Sequence, residues 1–226
     1  MNVLKASKLD EILNFPKGSD QLAILNRNKP NGADIFFKKL MEKTLRIIGD
    51  VSKTSSREDI QSLLEGAISK ELKDDPLYQV WVSDMAEVCE IFCAILGSES
   101  VDFCLSTGRG CRRYHIDHVP MRLLITYAGK GTEWIPDHAA DRNAFSSGAP
   151  NEKIIKDPSK RQYMNTWDIA IFRGGPEGLL HRTPDEALND KSILLRLDHG
   201  LYWDKILKQQ GNSLVELGIN DIQPKL

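Results

Sequence analysis

Hydrophobic positions in the first third of the chain recur at helical spacing. The stretch "ADIFFKKLMEKTLRIIGD", residues 33–50, sets Phe36, Leu40, Met41, Leu45 and Ile48 three and four residues apart, as one apolar helix face requires. "SSREDIQSLLEGAISKEL", residues 55–72, repeats Ile60, Leu63, Leu64, Ala67 and Ile68. It opens with Ser55 three residues ahead of Glu58, the spacing of a capping box. After Pro76, "LYQVWVSDMAEVCEIFCAIL" offers Trp81, Met85, Val88, Phe92 and Leu96 for a third helix. From Ser98 the texture changes to short β-prone runs, "VDFCLST", "MRLLITYAG", "DIAIFRG" and "SILLRLDH", separated by glycine-rich or polar connections. No regular βα alternation follows, which argues against a doubly wound sheet. The pattern predicts an α+β fold: residues 1–97 as a helical support layer, and residues 98–226 as a β-sandwich or jelly-roll core, the two packed as one compact unit. Residues 137–161 are polar and long for a connection, and are expected to form a lid or binding loop.

Composition narrows the function classes. The 226 residues are 41% hydrophobic and 27% charged, ordinary for a soluble globular protein of one large domain. A formal charge of -2 gives no reason to expect nucleic acid or an anionic membrane as partner. No apolar run reaches the length of a membrane span, and "MNVLKASKLDEILNF" has acids where a signal peptide needs an apolar core. Cys89, Cys93, Cys104 and Cys111 form no CxxC pair, so a reduced, cytoplasmic protein without a structural zinc site is expected.

Chemistry concentrates in "CRRYHIDHVPMRLLITYAGKGTEW", residues 111–134, which holds two of the five histidines around one aspartate. An open non-haem iron site needs two imidazoles and a carboxylate on one face. His115 and Asp117 meet part of that need, because alternate residues of a strand project to the same side. The third ligand must come from a distant segment, and His181, after "WDIAIFRGGPEGLL", is the best candidate; His118, His138 and His199 are weaker. The bland alternative makes His115 and Asp117 a hydrogen-bonded pair at a strand end, and Arg122 the partner of Asp117 or Asp198 in a buried salt bridge. "GRGCRR", residues 108–113, lacks the lysine and hydroxyl of a P-loop and precedes a strand, so it is discounted as a phosphate cradle. Cys111 as a nucleophile with His115 as base lacks a third orienting group.

Taken in order, these residues resemble the Fe(II)- and 2-oxoglutarate-dependent dioxygenases, especially the branch with the prolyl hydroxylases. The elements of that resemblance are His115-Ile116-Asp117, "RLLITY" with Arg122 and Tyr127, "GTEW" with Thr132 and Trp134, "DIAIF", and "LLHRTP" with His181; they span roughly residues 110 to 200. A narrower resemblance, carried by "HIDHVPMRLL" and "HRTP", is to an uncharacterised bacterial domain-of-unknown-function family. The wider resemblance implies a double-stranded β-helix, Fe(II) held by His115, Asp117 and His181, and 2-oxoglutarate as co-substrate. It also implies a basic residue beyond the distal histidine to hold the distal carboxylate of 2-oxoglutarate. Lys191 stands ten residues after His181 and Arg196 fifteen after it; spacing favours the first and bidentate guanidinium chemistry the second. Tyr127 is a candidate hydroxyl for the same carboxylate, and Trp134 and Trp167 are candidates to line the pocket or to fill the core.

Two functions follow. The first is a hydroxylase-type oxygenase acting on a small molecule or a protein side chain. The second is a non-catalytic cupin-like protein that binds zinc or iron for metal handling or sensing, with Cys111 available to help hold zinc. A basic side chain directed into the pocket separates them, since only the oxygenase needs one.

Overall fold

The computed structural model describes residues 3–199. Among the described residues ten strands are formed: β1 (Val3–Ala6), β2 (Leu22–Leu25), β3 (Arg46–Ser52), β4 (Ser100–Ser106), β5 (Met121–Ala128), β6 (Glu133–Ile135), β7 (Gln162–Tyr163), β8 (Ile169–Arg173), β9 (Leu180–Arg182) and β10 (Ile193–His199). Seven make one sheet in the order β1-β2-β8-β5-β10-β4-β3, and three make a second in the order β7-β6-β9. Apart from the parallel β1–β2 pair, every pairing is antiparallel. The fold is thus a mixed α/β arrangement of one large sheet, one small sheet and helices.

The two faces of the large sheet have different company. Leu123, Ile125 and Tyr127 of β5, Ile193, Leu195 and Leu197 of β10, and Val101, Phe103 and Leu105 of β4 point to one side. There they share a core with Phe36, Phe37, Ile60, Leu64, Trp81, Met85 and Phe92 from the helices. The helix Pro76–Leu96 is the longest among the described residues. Proline occupies its first turn, the Asp75 side chain accepts from the Leu77 N–H at 2.9 Å, and Gly97 closes it at φ 62°. On the opposite face Leu22, Ile24, Leu124, Ala170 and Phe172 pack with Trp134 and Met164 from the small-sheet side, so a second core lies between the sheets. The metal-site candidates lie in that inter-sheet space.

The N-terminal third is not the purely helical layer that its spacing predicts. It supplies β1, β2 and β3, and β3 pairs with β4 along seven residues across the 97/98 boundary. The expected helix over residues 33–50 stops: Ala33–Leu40 is helical and Arg46–Ser52 is a strand. The segment "RIIGDVS" satisfies a period of two as well, with Ile47 and Val51 buried and Ile48 exposed, and its β-branched residues favour the extended form. Gly49 in its middle lets the helix Ser56–Leu64 approach, since a Cβ there would lie 2.5 Å from the Leu63 side chain. The capping box also fails. Ser55 makes no cap bond; its hydroxyl donates to Asp59 instead. Residues 137–161 fold into short helices, Arg142–Ser146 and Asn151–Ile154 among them, whose Ala139, Ala140 and Ile154 pack on Tyr114 and Leu180.

Candidate functional site

The segment before β5 runs beside β9. His115 N–H donates to the His181 carbonyl at 3.0 Å and His181 N–H donates to the His115 carbonyl at 3.1 Å, an antiparallel bridge between residues 66 positions apart. The bridge brings the two imidazoles together, with centroids 4.4 Å apart. Asp117, two residues on, projects to the same side. One ligand atom from each of His115, Asp117 and His181 lies within 4.8 Å of the others, the one such group among the described residues. Asp117 and His181 are 3% exposed, and His115 opens toward a cavity.

The orientation of each group is set from behind. His115 Nδ1 lies 3.2 Å from the Arg113 carbonyl and His181 Nδ1 3.0 Å from the Leu179 carbonyl. A carbonyl only accepts, so each Nδ1 carries its proton and, in the neutral ring, each Nε2 presents a lone pair inward. His181 is further fixed by Phe172, whose ring centroid is 4.4 Å away. Arg122 Nη1 pairs with Asp117 Oδ1, while its Nε and Nη2 hold Asp198 at 2.7 and 3.0 Å. Asp117 Oδ2 is buried without a hydrogen-bond donor, 3.3 Å from His181 Nε2. Burial acts to raise the Asp117 pKa, but charged imidazoles at His181 and His115, with the Arg122 guanidinium, outweigh burial and hold the carboxyl well below its usual range; with neutral rings only Arg122 plays that part. Three such atoms converging on one point form a group that could hold a metal ion. Two imidazoles and a carboxylate suit a divalent transition metal with open positions.

A glycine-rich turn holds the Asp117 backbone. Gly175 N–H donates to the Asp117 carbonyl at 2.9 Å and Gly174 N–H to the Pro120 carbonyl at 3.0 Å. A Cβ at Gly174 would lie 1.9 Å from the Val119 carbonyl oxygen and 2.5 Å from that of Asp117, so the close approach requires glycine there. "GGPEG" reads in sequence as a simple turn; its part in fixing the aspartate was not legible there.

A cavity of about 510 Å³ opens from His115 and His181, over β3, β4, β10 and β5. Arg46, Arg109, Arg122, Arg182 and Arg196 line it, and no Asp or Glu does so among the described residues. Of the two candidates Lys191 and Arg196, Arg196 is therefore the one that reaches the cavity. Its Nε is 3.3 Å from Asp198, the carboxylate that also holds Arg122. Lys191 must be corrected. It precedes β10, is exposed, and donates to the Glu42 carbonyl at 3.0 Å, away from the cavity lining. Tyr127 must be corrected as well. Five residues from Arg122 in one strand, it points to the other face of the sheet, where its hydroxyl donates to Asp84 at 2.7 Å. Trp134 and Trp167 are core residues on the two sides of the sheet. Arg122 takes the salt-bridge reading, with both aspartates at once. Sequence reasoning missed Arg46, concealed in an expected helix, and Arg109, inside the discounted "GRGCRR".

A family model described as "Protein of unknown function (DUF1826)" matches residues 8–198, and the chain belongs to that family. Among curated proteins none matches the chain. Solved structures similar to it include an oxidoreductase of the 2OG-Fe(II) oxygenase family from Burkholderia pseudomallei, at 10% identity over 88% of this chain and 94% of that one, TM-score 0.38. The Fe(II)/α-ketoglutarate-dependent dioxygenase TqaL is similar at 11% identity over 84% and 86%, TM-score 0.45. The non-heme α-ketoglutarate-dependent carbocyclase SnoK from nogalamycin biosynthesis is similar at 11% identity over 88% and 90%, TM-score 0.39. At such scores and identities these likenesses carry no functional weight, which falls on the side chains themselves.

Proposed function

We propose that this member of the DUF1826 family is an Fe(II)- and 2-oxoglutarate-dependent oxygenase of the hydroxylase type. On this reading the inter-sheet space is the interior of a jelly roll, His115, Asp117 and His181 hold the iron, and Arg196 holds the distal carboxylate of 2-oxoglutarate. The observation that carries the reading is the buried Asp117 carboxylate at the end of an arginine-lined cavity, its donor-free Oδ2 3.3 Å from His181 Nε2 and its Oδ1 3.9 Å from His115 Nε2. When bound, Fe(II) with oxygen and 2-oxoglutarate converts a C–H bond of the substrate to an alcohol and 2-oxoglutarate to succinate and carbon dioxide.

The chain's own residues supply position and charge. The Arg113 and Leu179 carbonyls keep both imidazoles with Nε2 inward. Arg122 occupies Asp117 Oδ1 and leaves Oδ2 as the free donor oxygen. Arg196, on β10, offers a planar fork to a carboxylate, and its link through Asp198 to Arg122 ties that anchor to the iron ligands. Leu124 and Leu194 line the same cavity and give the site apolar wall.

Equilibrium titration of 2-oxoglutarate into the Fe(II)-loaded protein without oxygen tests the anchor. Lys191→Ala is expected to leave the affinity unchanged, and Arg196→Met to weaken it at least tenfold while metal binding persists. Equal 2-oxoglutarate affinity in both variants would remove Arg196 from that role. Metal binding with no 2-oxoglutarate affinity in the parent protein would identify a metal-handling protein instead.

A further inference from the structure

The cavity holds more positive charge than the iron site and one co-substrate explain. Of its five arginines, Arg122 is held by Asp117 and Asp198, Arg182 by Glu133 and Asp185, and Arg196 touches Asp198. Arg109 and Arg46 form no salt bridge among the described residues. Arg109 is the more telling. Its Nη1 donates to the Lys130 carbonyl at 2.8 Å and its Nη2 to Thr132 Oγ1 at 3.0 Å, both neutral acceptors, and its Nε is buried with no acceptor at all. Burial pulls its pKa down to about 10, opposed only by Cys111. A guanidinium kept in a cavity wall without an anion is costly unless a ligand brings one.

Position separates this charge from the co-substrate anchor. Along the floor of the cavity, Arg196 stands in register with Cys104 of β4 and Leu124 of β5. Arg46 is in register with Ser106, two residues further along β4. That is about 7 Å farther along the strand, on the side away from the Asp198–Arg122 row. Arg109, beyond the end of β4, reaches the opposite wall at Thr132. We propose that Arg109, with Arg46 at the cavity mouth, binds an oxyanion group of the primary substrate, which makes that substrate a small carboxylate- or phosphoryl-bearing molecule. The word substrate rests on the oxygenase reading; the oxyanion site itself does not. The cavity volume lies within the range, roughly 300–1,000 Å³, of small-molecule sites. The stretch "GRGCRR", which fails as a P-loop, thus contributes an anion ligand through a side chain rather than through backbone N–H groups.

The test follows the arginine Nε–H resonances of the full-length, metal-free protein during titration with inorganic phosphate and, separately, with acetate. Arg109 is assigned by its loss in Arg109→Lys. Arg57, on the surface with Ser83 and Gln79, reports non-specific ionic effects. The expected result is a saturable shift of Arg109 with at least one anion, several times that of Arg57, retained in Arg196→Met. Phosphate or acetate as the effective anion distinguishes a phosphoryl from a carboxylate substrate. No shift beyond that of Arg57 would overturn the proposal. So would a 2-oxoglutarate affinity that is lost in Arg109→Lys and kept in Arg196→Met, which would make Arg109 the co-substrate anchor. Because neither iron nor 2-oxoglutarate is needed for the shift, failure of the oxygenase reading would leave this result standing.

Discussion

The two faces of the seven-stranded sheet are built from the same strands and do opposite things. Along β10, Ile193, Leu195 and Leu197 enter the helix-covered core, while Leu194, Arg196 and Asp198 alternate toward the cavity or its supporting ion pairs. Along β5, Leu123, Ile125 and Tyr127 face the helices, while Arg122 and Leu124 face the cavity. The helix face is closed by apolar area; its charged groups are paired, as Asp84 is with Tyr127 and Arg27, and the buried polar atoms left without a partner there are the neutral indole N–H groups of Trp81 and Trp167. The cavity face instead carries an orphan carboxylate oxygen and guanidiniums without anions. The difference teaches that one sheet can spend its stability on one side and keep unsatisfied groups for ligands on the other.

Removing the cavity-side clamp should have the largest effect. Arg122→Met leaves Asp117 and Asp198, each with a side chain 1% exposed, as buried carboxylates without their main counter-charge. We expect a loss of about 3–5 kcal/mol, read as a fall in melting temperature of roughly 10 °C, and partly recovered by adding a divalent metal. Acid should act on the same group. Because the folded-state pKa of Asp117 is depressed, its contribution is present above the unfolded carboxyl value near 4 and is lost as pH falls below it toward the folded value. Asp117→Asn should flatten the fall in melting temperature over that acid window.

Gly174→Ala comes next. Its Cβ would collide with the Val119 and Asp117 carbonyls, so the backbone must move, at about 1–3 kcal/mol, and metal affinity should fall with it. On the helix face, Tyr127→Phe removes only a hydrogen bond to Asp84. It should cost about 1–2 kcal/mol in a denaturant titration while metal and 2-oxoglutarate binding stay unchanged. If Tyr127→Phe impaired co-substrate binding, the separation of the two faces would be wrong. Lys191→Ala should change stability by no more than about 0.5 kcal/mol, since its one bond is to an exposed carbonyl.

Reading the chain alone picked out the three residues that the structure brings together, because their order along the sequence is unusual and because a period of two puts His115 and Asp117 on one side. The long helix was equally legible, with proline at its start, glycine after its end and a buried stripe between. Other features depend on long-range partners. Spacing from His181 could not choose between Lys191 and Arg196, since the count includes the helix Asp185–Asn189 and a loop before β10 begins. The company of Tyr127 in "RLLITY" points to the site, although its odd offset from Arg122 sets it on the opposite face. β3 is hidden in the sequence because "LRIIGD" fits both periods, and the partner that decides, β4, lies about fifty residues away. Arg109 stood in plain view, but nothing local shows which wall a loop arginine will reach.

Anaerobic titration of the metal-free protein with Fe(II) and then 2-oxoglutarate, followed by visible absorption, tests the central claim most directly. The account predicts a weak charge-transfer band that appears only with both present and is lost in His115→Ala and in His181→Ala. A band that survives both substitutions, or iron binding with no band in the parent protein, would contradict it.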